Sequence, residues 1–206
     1  MSFKFKYRQY AKALHSALTE DAFYVTMKAS VGSGESAKEA MLKYMEFSML
    51  EAEKSGELYI PDDHEYGVSI WSKPISNDLE RQKRQEKKNF LRDEMGKKSL
   101  DTYNAIVEFM STKAEPFIEE DFWYLSIIGV LPAFQGQGLG PALITNVLKK
   151  TDALNVPTFL ETFTKRNMTF YERLGYRSVQ SFDEPTTNAA YWLMIREPSM
   201  TNPQLS

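Results

Sequence analysis

The run Tyr124-Leu-Ser-Ile-Ile-Gly-Val130, Leu131-Pro-Ala-Phe134, Gln135-Gly-Gln-Gly-Leu-Gly-Pro141 decides how this chain is read. Its first seven residues are rich in aromatic and β-branched types and read as a strand. A short proline turn follows, then a loop with glycine at every second position. From Leu139 to Leu154, Leu143, Ile144, Val147 and Leu148 recur at helical spacing. Strand, glycine loop and helix in this order form an anion cradle that needs no basic side chain. The glycines let the backbone approach a ligand, and the helix N-terminus adds partial positive charge.

Several ligands suit such a cradle. A nucleotide P-loop needs Lys-Ser/Thr after its last glycine, and Pro141-Ala142 stands there instead. A dinucleotide fingerprint would find its acidic residue in Glu161, at the end of the next strand. Its third glycine, however, would fall on Pro141, and the loop starts several residues past the strand where that turn is tight. A glycine-rich turn with no ligand and an acyl-CoA site stay open on the residues alone.

Composition narrows the function classes. The 206 residues carry 25 Lys+Arg against 28 Asp+Glu, a formal net charge of -3, which argues against a nucleic-acid partner held by charge. Cysteine is absent, which removes disulfide scaffolds, thiolate zinc sites, iron–sulfur clusters and thiol nucleophiles. Two histidines leave little room for a His-rich metal site or a Ser/His/Asp triad, and no metal is expected. No apolar run approaches the roughly 18 residues of a membrane span. Met1 to Tyr10 mixes charge with aromatics and lacks the apolar core of a signal peptide. The expectation is a cytoplasmic protein without a membrane partner.

The pattern along the chain predicts mixed α/β structure in one domain over 1–197, with a frayed tail at 198–206. The first half reads as helices: Tyr10–Leu18, Asp21–Ala29 with Thr19 as cap, and Ser36–Ser55 ended by Gly56. Phe3 to Lys6 alternates and suggests a short strand, and Val31 to Gly34 a loop. Glu57–Ile60 and Glu65–Trp71 read as a hairpin turned by Pro61-Asp-Asp-His64. Ser76 to Met95 interleaves both signs of charge and reads as a solvated helix face rather than an anion-binding surface. Leu100–Met110 is a further helix, and 76–116 together resembles an insertion. The core at 121–182 then runs as strand (Asp121–Val130), helix, strand (Pro157–Thr162), short helix (Asn167–Leu174) and strand (Tyr176–Phe182), closed by Ala189–Arg196.

Two blocks carry a family resemblance. Val130-Leu-Pro132 followed by Gln135-x-x-Gly138-x-Gly140 resembles the Gln/Arg-x-x-Gly-x-Gly/Ala signature of the GNAT (Gcn5-related N-acetyltransferase) superfamily. Downstream, Leu160-Glu-Thr162, Arg166-Asn167 and Phe170-Tyr-Glu-Arg-Leu-Gly-Tyr176 are similar to its second block. Trp123-Tyr124 through Tyr176 is similar to puromycin N-acetyltransferase and its relatives, and Gly67-Val-Ser-Ile-Trp71 fits one of their strands.

The resemblance implies an α+β fold with a mixed, mostly antiparallel sheet, splayed beside the strand that ends at Val130 and flanked by helices. It implies acetyl-CoA as co-substrate, its pantetheine arm along Ile128 and Val130 and near Asn167. Its pyrophosphate would lie on backbone N–H groups of Gln135, Gly136, Gln137, Gly138, Leu139, Gly140 and Pro141. Gln135 stands where the family often has Arg and brings no charge. Tyr171 matches the family tyrosine beside the cofactor sulfur, where a protonated phenol can donate to the departing thiolate. Glu161 is the candidate base, or orients the amine, and a strand N–H would polarise the thioester carbonyl. Without the family, Tyr171 is a packed aromatic, Glu161 a structural carboxylate, Asn167 a helix cap, and His15 and His64 structural.

The expected reaction is acetyl transfer to a primary amine of a small molecule by direct attack in a ternary complex. A peptide or protein amine, or a non-catalytic acyl-CoA-binding module, are the alternatives. Phe23, Tyr24, Trp71 and Trp123 are candidate acceptor-pocket aromatics. Many relatives pair, which leaves a homodimer open.

Overall fold

The computed structural model describes residues 3–62 and 65–199. His64 and the centre of the predicted hairpin turn lie outside the described residues, as does the tail beyond 199.

The chain begins with three helices, α1 (Arg8–Ala17), α2 (Ala22–Val31) and α3 (Gly34–Ser55). Two strands follow, β1 (Gly56–Tyr59) and β2 (Gly67–Ser72). A second pair of helices, α4 (Asn77–Phe90) and α5 (Lys97–Ala114), is joined by a π-helical turn over Leu91–Met95. The rest alternates as β3 (Trp123–Val130), α6 (Ala142–Ala153), β4 (Thr158–Thr162), α7 (Met168–Glu172), β5 (Arg177–Glu184) and β6 (Ala189–Arg196).

The six strands form one sheet in the order β1-β2-β3-β4-β6-β5. Every neighbouring pair is antiparallel except β3 and β4. Each face carries its own core. Val68, Ile70 and Ile127 pack with Leu14, Met41, Met45 and Met49 of α1 and α3. Trp71, Leu125 and Leu160 pack with Leu143, Ile144 and Val147 of α6 and with Tyr171 of α7.

A bulge in β3 sets which face each residue serves. Ile70 pairs with Ile127 and Trp71 with Leu125, so Ser126 is the extra residue, and its Oγ donates to the Ile70 carbonyl at 3.0 Å. Side chains alternate across a strand, and one unpaired residue shifts that alternation. Leu125 therefore faces α6, Ile127 faces α3, and Ile128 and Val130 return to the α6 face.

Several sequence expectations are corrected. Phe3 to Lys6 joins no strand; the N–H groups of Lys6 and Tyr7 donate instead to the buried carboxylate of Glu46, at 2.6 and 2.9 Å. Asp21, not Thr19, caps α2, its carboxylate accepting from the Phe23 N–H at 3.0 Å. The loop predicted over 31–34 shrinks to Gly32 and Ser33. Gly56 ends α3 at a negative φ; a Cβ there would strike the Trp71 carbonyl, so close strand approach is the reason for glycine. The charged segment 76–95 is not wholly solvated, because Lys87 is buried. Its Nζ lies 3.4 Å from Glu51 Oε2 and over the rings of Tyr44 and Phe47.

Candidate active site

The sheet is open at its centre. β3 and β4 pair only at Trp123 with Thr158 and at Tyr124 with Phe159. Past that rung β3 runs on to Val130 and β4 to Thr162 with no pairing between them. An unpaired ladder leaves backbone donors and acceptors for something else to satisfy.

Beyond Val130 the chain turns through Pro132–Phe134 into the glycine loop. Gly136 and Gly138 take φ of 75° and 74°, the left-handed region that glycine enters without strain. Alternating hands in successive residues turn their amides toward one point. Among the described residues, the amides of Gly136 through Gly140 have no hydrogen-bond acceptor. The Gln135 amide does, on Pro132 O at 3.3 Å, and Pro141 has no N–H. The Gln135 side chain folds back, its Nε2 donating to Val130 O at 2.9 Å, and Gln137 donates to Ala133 O at 3.0 Å. Five free amides before a helix N-terminus fit a pyrophosphate. The glutamines brace the loop from behind.

A cavity of about 1060 Å³ adjoins the gap. Its walls come from α2, α3, α4, α5, α7, β2, β3 and β4, and the 76–116 segment forms one side of it. Glu161, Tyr171, Asn167 and Ile128 line it; Val130 and the glycine loop do not. Phe23, Tyr24 and Trp71 line it too, while Trp123 packs in the α6 core beneath Lys73 and Lys150. His15 lies in α1 outside it. Asn167 makes no side-chain cap to α7.

Glu161 and Tyr171 reach the cavity from opposite layers. Leu160 belongs to the α6 core, so alternation turns Glu161 to the α5 side. Tyr171 comes from α7 within the α6 core, in edge contact with Phe170 and Tyr176. Burial pushes the Glu161 carboxyl up to about 7, although the Tyr124 hydroxyl pulls the other way as a donor. Its Oε1 is covered and unpartnered. Burial also raises the Tyr171 phenol well above its ordinary value, so it stays protonated. A base near neutrality and a protonated acid on one cavity can run proton transfer in both directions.

Residues 57–176 match the sequence model of the Acetyltransferase (GNAT) family. The chain belongs to this family. The fold agrees with solved acetyltransferases. One is a Corynebacterium glutamicum protein described as histone acetyltransferase HPA2 and related acetyltransferase. It has a TM-score of 0.63 and 18% identity over 99% of this chain and 96% of that one. Another is arylalkylamine N-acetyltransferase 2 from Aedes aegypti, with a TM-score of 0.56 and 15% identity over 96% and 99%. A third is the polyamine N-acetyltransferase of Drosophila melanogaster, at 0.53 and 13% over 92% and 96%.

The site of this acetyltransferase holds residues that sequence reasoning passed over. Tyr124, Asp21, Tyr44, Tyr103, Glu51 and Lys87 all line the cavity. Asp21 is pushed up to about 6 by burial against two backbone hydrogen bonds. A signal for Glu51 was present: Tyr44, Ser48 and Glu51 share one stripe of α3 at helical spacing. Among the described residues no group of His, Cys, Asp or Glu could hold a metal, and no helix is long and apolar enough to cross a membrane.

Proposed function

We propose that this acetyltransferase moves the acetyl group of acetyl-CoA to a primary amine of a small molecule, by direct attack in a ternary complex. The observation that carries the reading is the convergence of Glu161 and Tyr171, from opposite layers, on one cavity beside the unpaired half of β3. The co-substrate supplies an activated acetyl thioester. Amides of Gly136 to Gly140 hold its pyrophosphate, and Ile128, Val130 and Asn167 its arm. Glu161 takes the proton from the amine nitrogen, directly or through water. Tyr171 donates to the sulfur as it leaves. A free N–H of β3 polarises the thioester carbonyl.

The 76–116 segment along one side of the cavity supports a small acceptor. Two of the solved structures with this fold are named for small amines, arylalkylamine and polyamine. The likeness to puromycin N-acetyltransferase between Trp123 and Tyr176 places puromycin-like amines in the test panel as well.

The test is amine-dependent thiol release from acetyl-CoA. The chain has no cysteine, so a thiol reagent reads CoA alone. Saturable release with one or more small amines is expected. Micromolar acetyl-CoA binding with no release over a broad panel would leave an acyl-CoA-binding module in its place. Release only with peptides would move the acceptor to a protein amine. A homodimer, read by sedimentation, is proposed for the assembly.

A further inference from the structure

Buried side-chain oxygens without a partner are few among the described residues: Glu51 Oε1, Glu161 Oε1 and the Tyr191 hydroxyl. Both carboxylates belong to the wall of the same cavity, one on α3 and one on β4. A covered carboxylate oxygen that no protein donor reaches is costly unless a ligand compensates it.

The charge of the deep wall points the same way. Asp21, Glu51 and Glu161 share the wall with one buried cation, Lys87, whose Nζ stands 3.4 Å from the other oxygen of Glu51. The remaining acids and bases on the wall are equal in number and sit at exposed or half-exposed positions. The deep wall thus sets three carboxyl groups against one buried ammonium, and two of the three keep an unpartnered oxygen. Around it stand aromatic faces: Tyr44 and Tyr103, with ring centroids 6.5 Å apart, and Tyr24, 6.4 Å from Tyr44. The rings pack edge to face, and the Lys87 Nζ already lies 5.1 Å from the centre of the Tyr44 ring.

We propose that the acceptor is a dication. Its reacting amine lies beside Glu161, and an apolar spacer carries a second ammonium or guanidinium to the unpartnered Oε1 of Glu51, near Tyr103. This rests on the acetyltransferase reading above and adds the chemical class of the substrate. The transfer is otherwise unchanged: the N–C bond to the acetyl group forms and the C–S bond breaks; the ammonium nitrogen loses two protons, one taken up by the departing CoA thiolate and one passed through Glu161 to solvent.

The test compares 1,4-diaminobutane, pentylamine and 4-amino-1-butanol, matched in length, by isothermal titration into the CoA-bound protein. Diaminobutane is expected to bind about tenfold or more tighter than either other amine, as a charge-assisted contact requires. The double variant Glu51→Gln, Lys87→Met, which removes both partners and strands no buried charge, should bring the ratio close to one. Equal binding of the three amines, equal binding of the amino alcohol and the diamine, or no binding at all would each overturn the proposal. So would an unchanged preference in the folded double variant. Acetyl transfer to the same amines separates the two readings. Transfer that does not favour the diamine keeps the function and sinks the dication. Preferential diamine binding without transfer keeps the dication and sinks the function.

Discussion

Tyr124 and Phe159 stack face to face, ring centroids 4.6 Å apart and 18° from parallel, on the last rung that joins β3 to β4. The pair closes the vertex of the open sheet and sits beside Glu161, which bears on the Tyr124 hydroxyl. Phe159→Ala removes half of the stack and leaves a hole at the vertex. Loss of a buried aromatic costs about 3–5 kcal/mol, and this half-buried site should fall near the lower figure, about 3 kcal/mol. Urea unfolding measures it; a loss within 0.5 kcal/mol, about the noise of a surface change, would show that the stack does not hold the vertex.

Glu161→Gln tests the base. The isosteric amide keeps the shape and cannot accept the amine proton, so turnover should fall by about 10²-fold or more. Wild-type kcat/KM should rise with pH through about 7, because only the ionised carboxylate is competent. That limb should vanish in the variant. A variant that keeps both its rate and its pH limb removes Glu161 from the chemistry.

The same carboxyl has a signature in stability. Its folded value lies near 7, above the ordinary 4.5, so between these the folded state binds more protons than the unfolded one. Stability from this group is then fully present below the ordinary value and is lost as pH rises toward 7. Asp21, raised to about 6, acts in the same direction. Relative to wild type, Glu161→Gln should gain stability between pH 5 and pH 8, by an amount on the order of 2–3 kcal/mol. Denaturant midpoints at the two pH values measure the gain, and parallel pH curves for the two proteins would contradict it.

Tyr171→Phe keeps the ring that packs against Phe170 and Tyr176 and removes only the hydroxyl. Turnover should fall by about 10²-fold while acetyl-CoA affinity holds within about threefold, since a general acid acts on the departing thiolate and not on the resting complex. Full turnover in the variant would assign Tyr171 to the core alone.

Gly136→Ala with Gly138→Ala tests the cradle. Space is open at both positions, so the effect is on backbone conformation only. A left-handed non-glycine residue costs about 1–2 kcal/mol. The loop should relax away from its present path, weakening acetyl-CoA by about tenfold or more while the melting temperature stays near wild type. Unchanged affinity, read by titration calorimetry, would show that these amides hold no phosphate.

The order of elements was legible because it rests on local pattern. β6 has the predicted bounds, and β4 and α3 differ from prediction only at their N-terminal ends, by one residue and two. What the pattern missed depends on contacts distant in sequence. Phe3 to Lys6 has strand alternation, yet its amides are taken by Glu46, forty positions on. Lys87 looks like one more charge on a polar helix until α3 supplies Glu51, Tyr44 and Phe47 around it. The glycine loop was visible as a motif, but the inward fold of Gln135 onto Val130 was not, since a glutamine carries no directional signal in sequence. Tyr124 escaped as one aromatic in an apolar strand; its place at the vertex appears only once β4 lies alongside.

The two-rung junction between β3 and β4 also has a mechanical meaning. Strands β1-β2-β3 and β4-β6-β5 are two hydrogen-bonded plates joined along a short seam at one end. On the proposed function, the pantetheine arm fills the missing ladder and acts as a strut between the plates. Each round of transfer and release would then alternately brace and unbrace the enzyme, so its stiffness would report how far catalysis has gone.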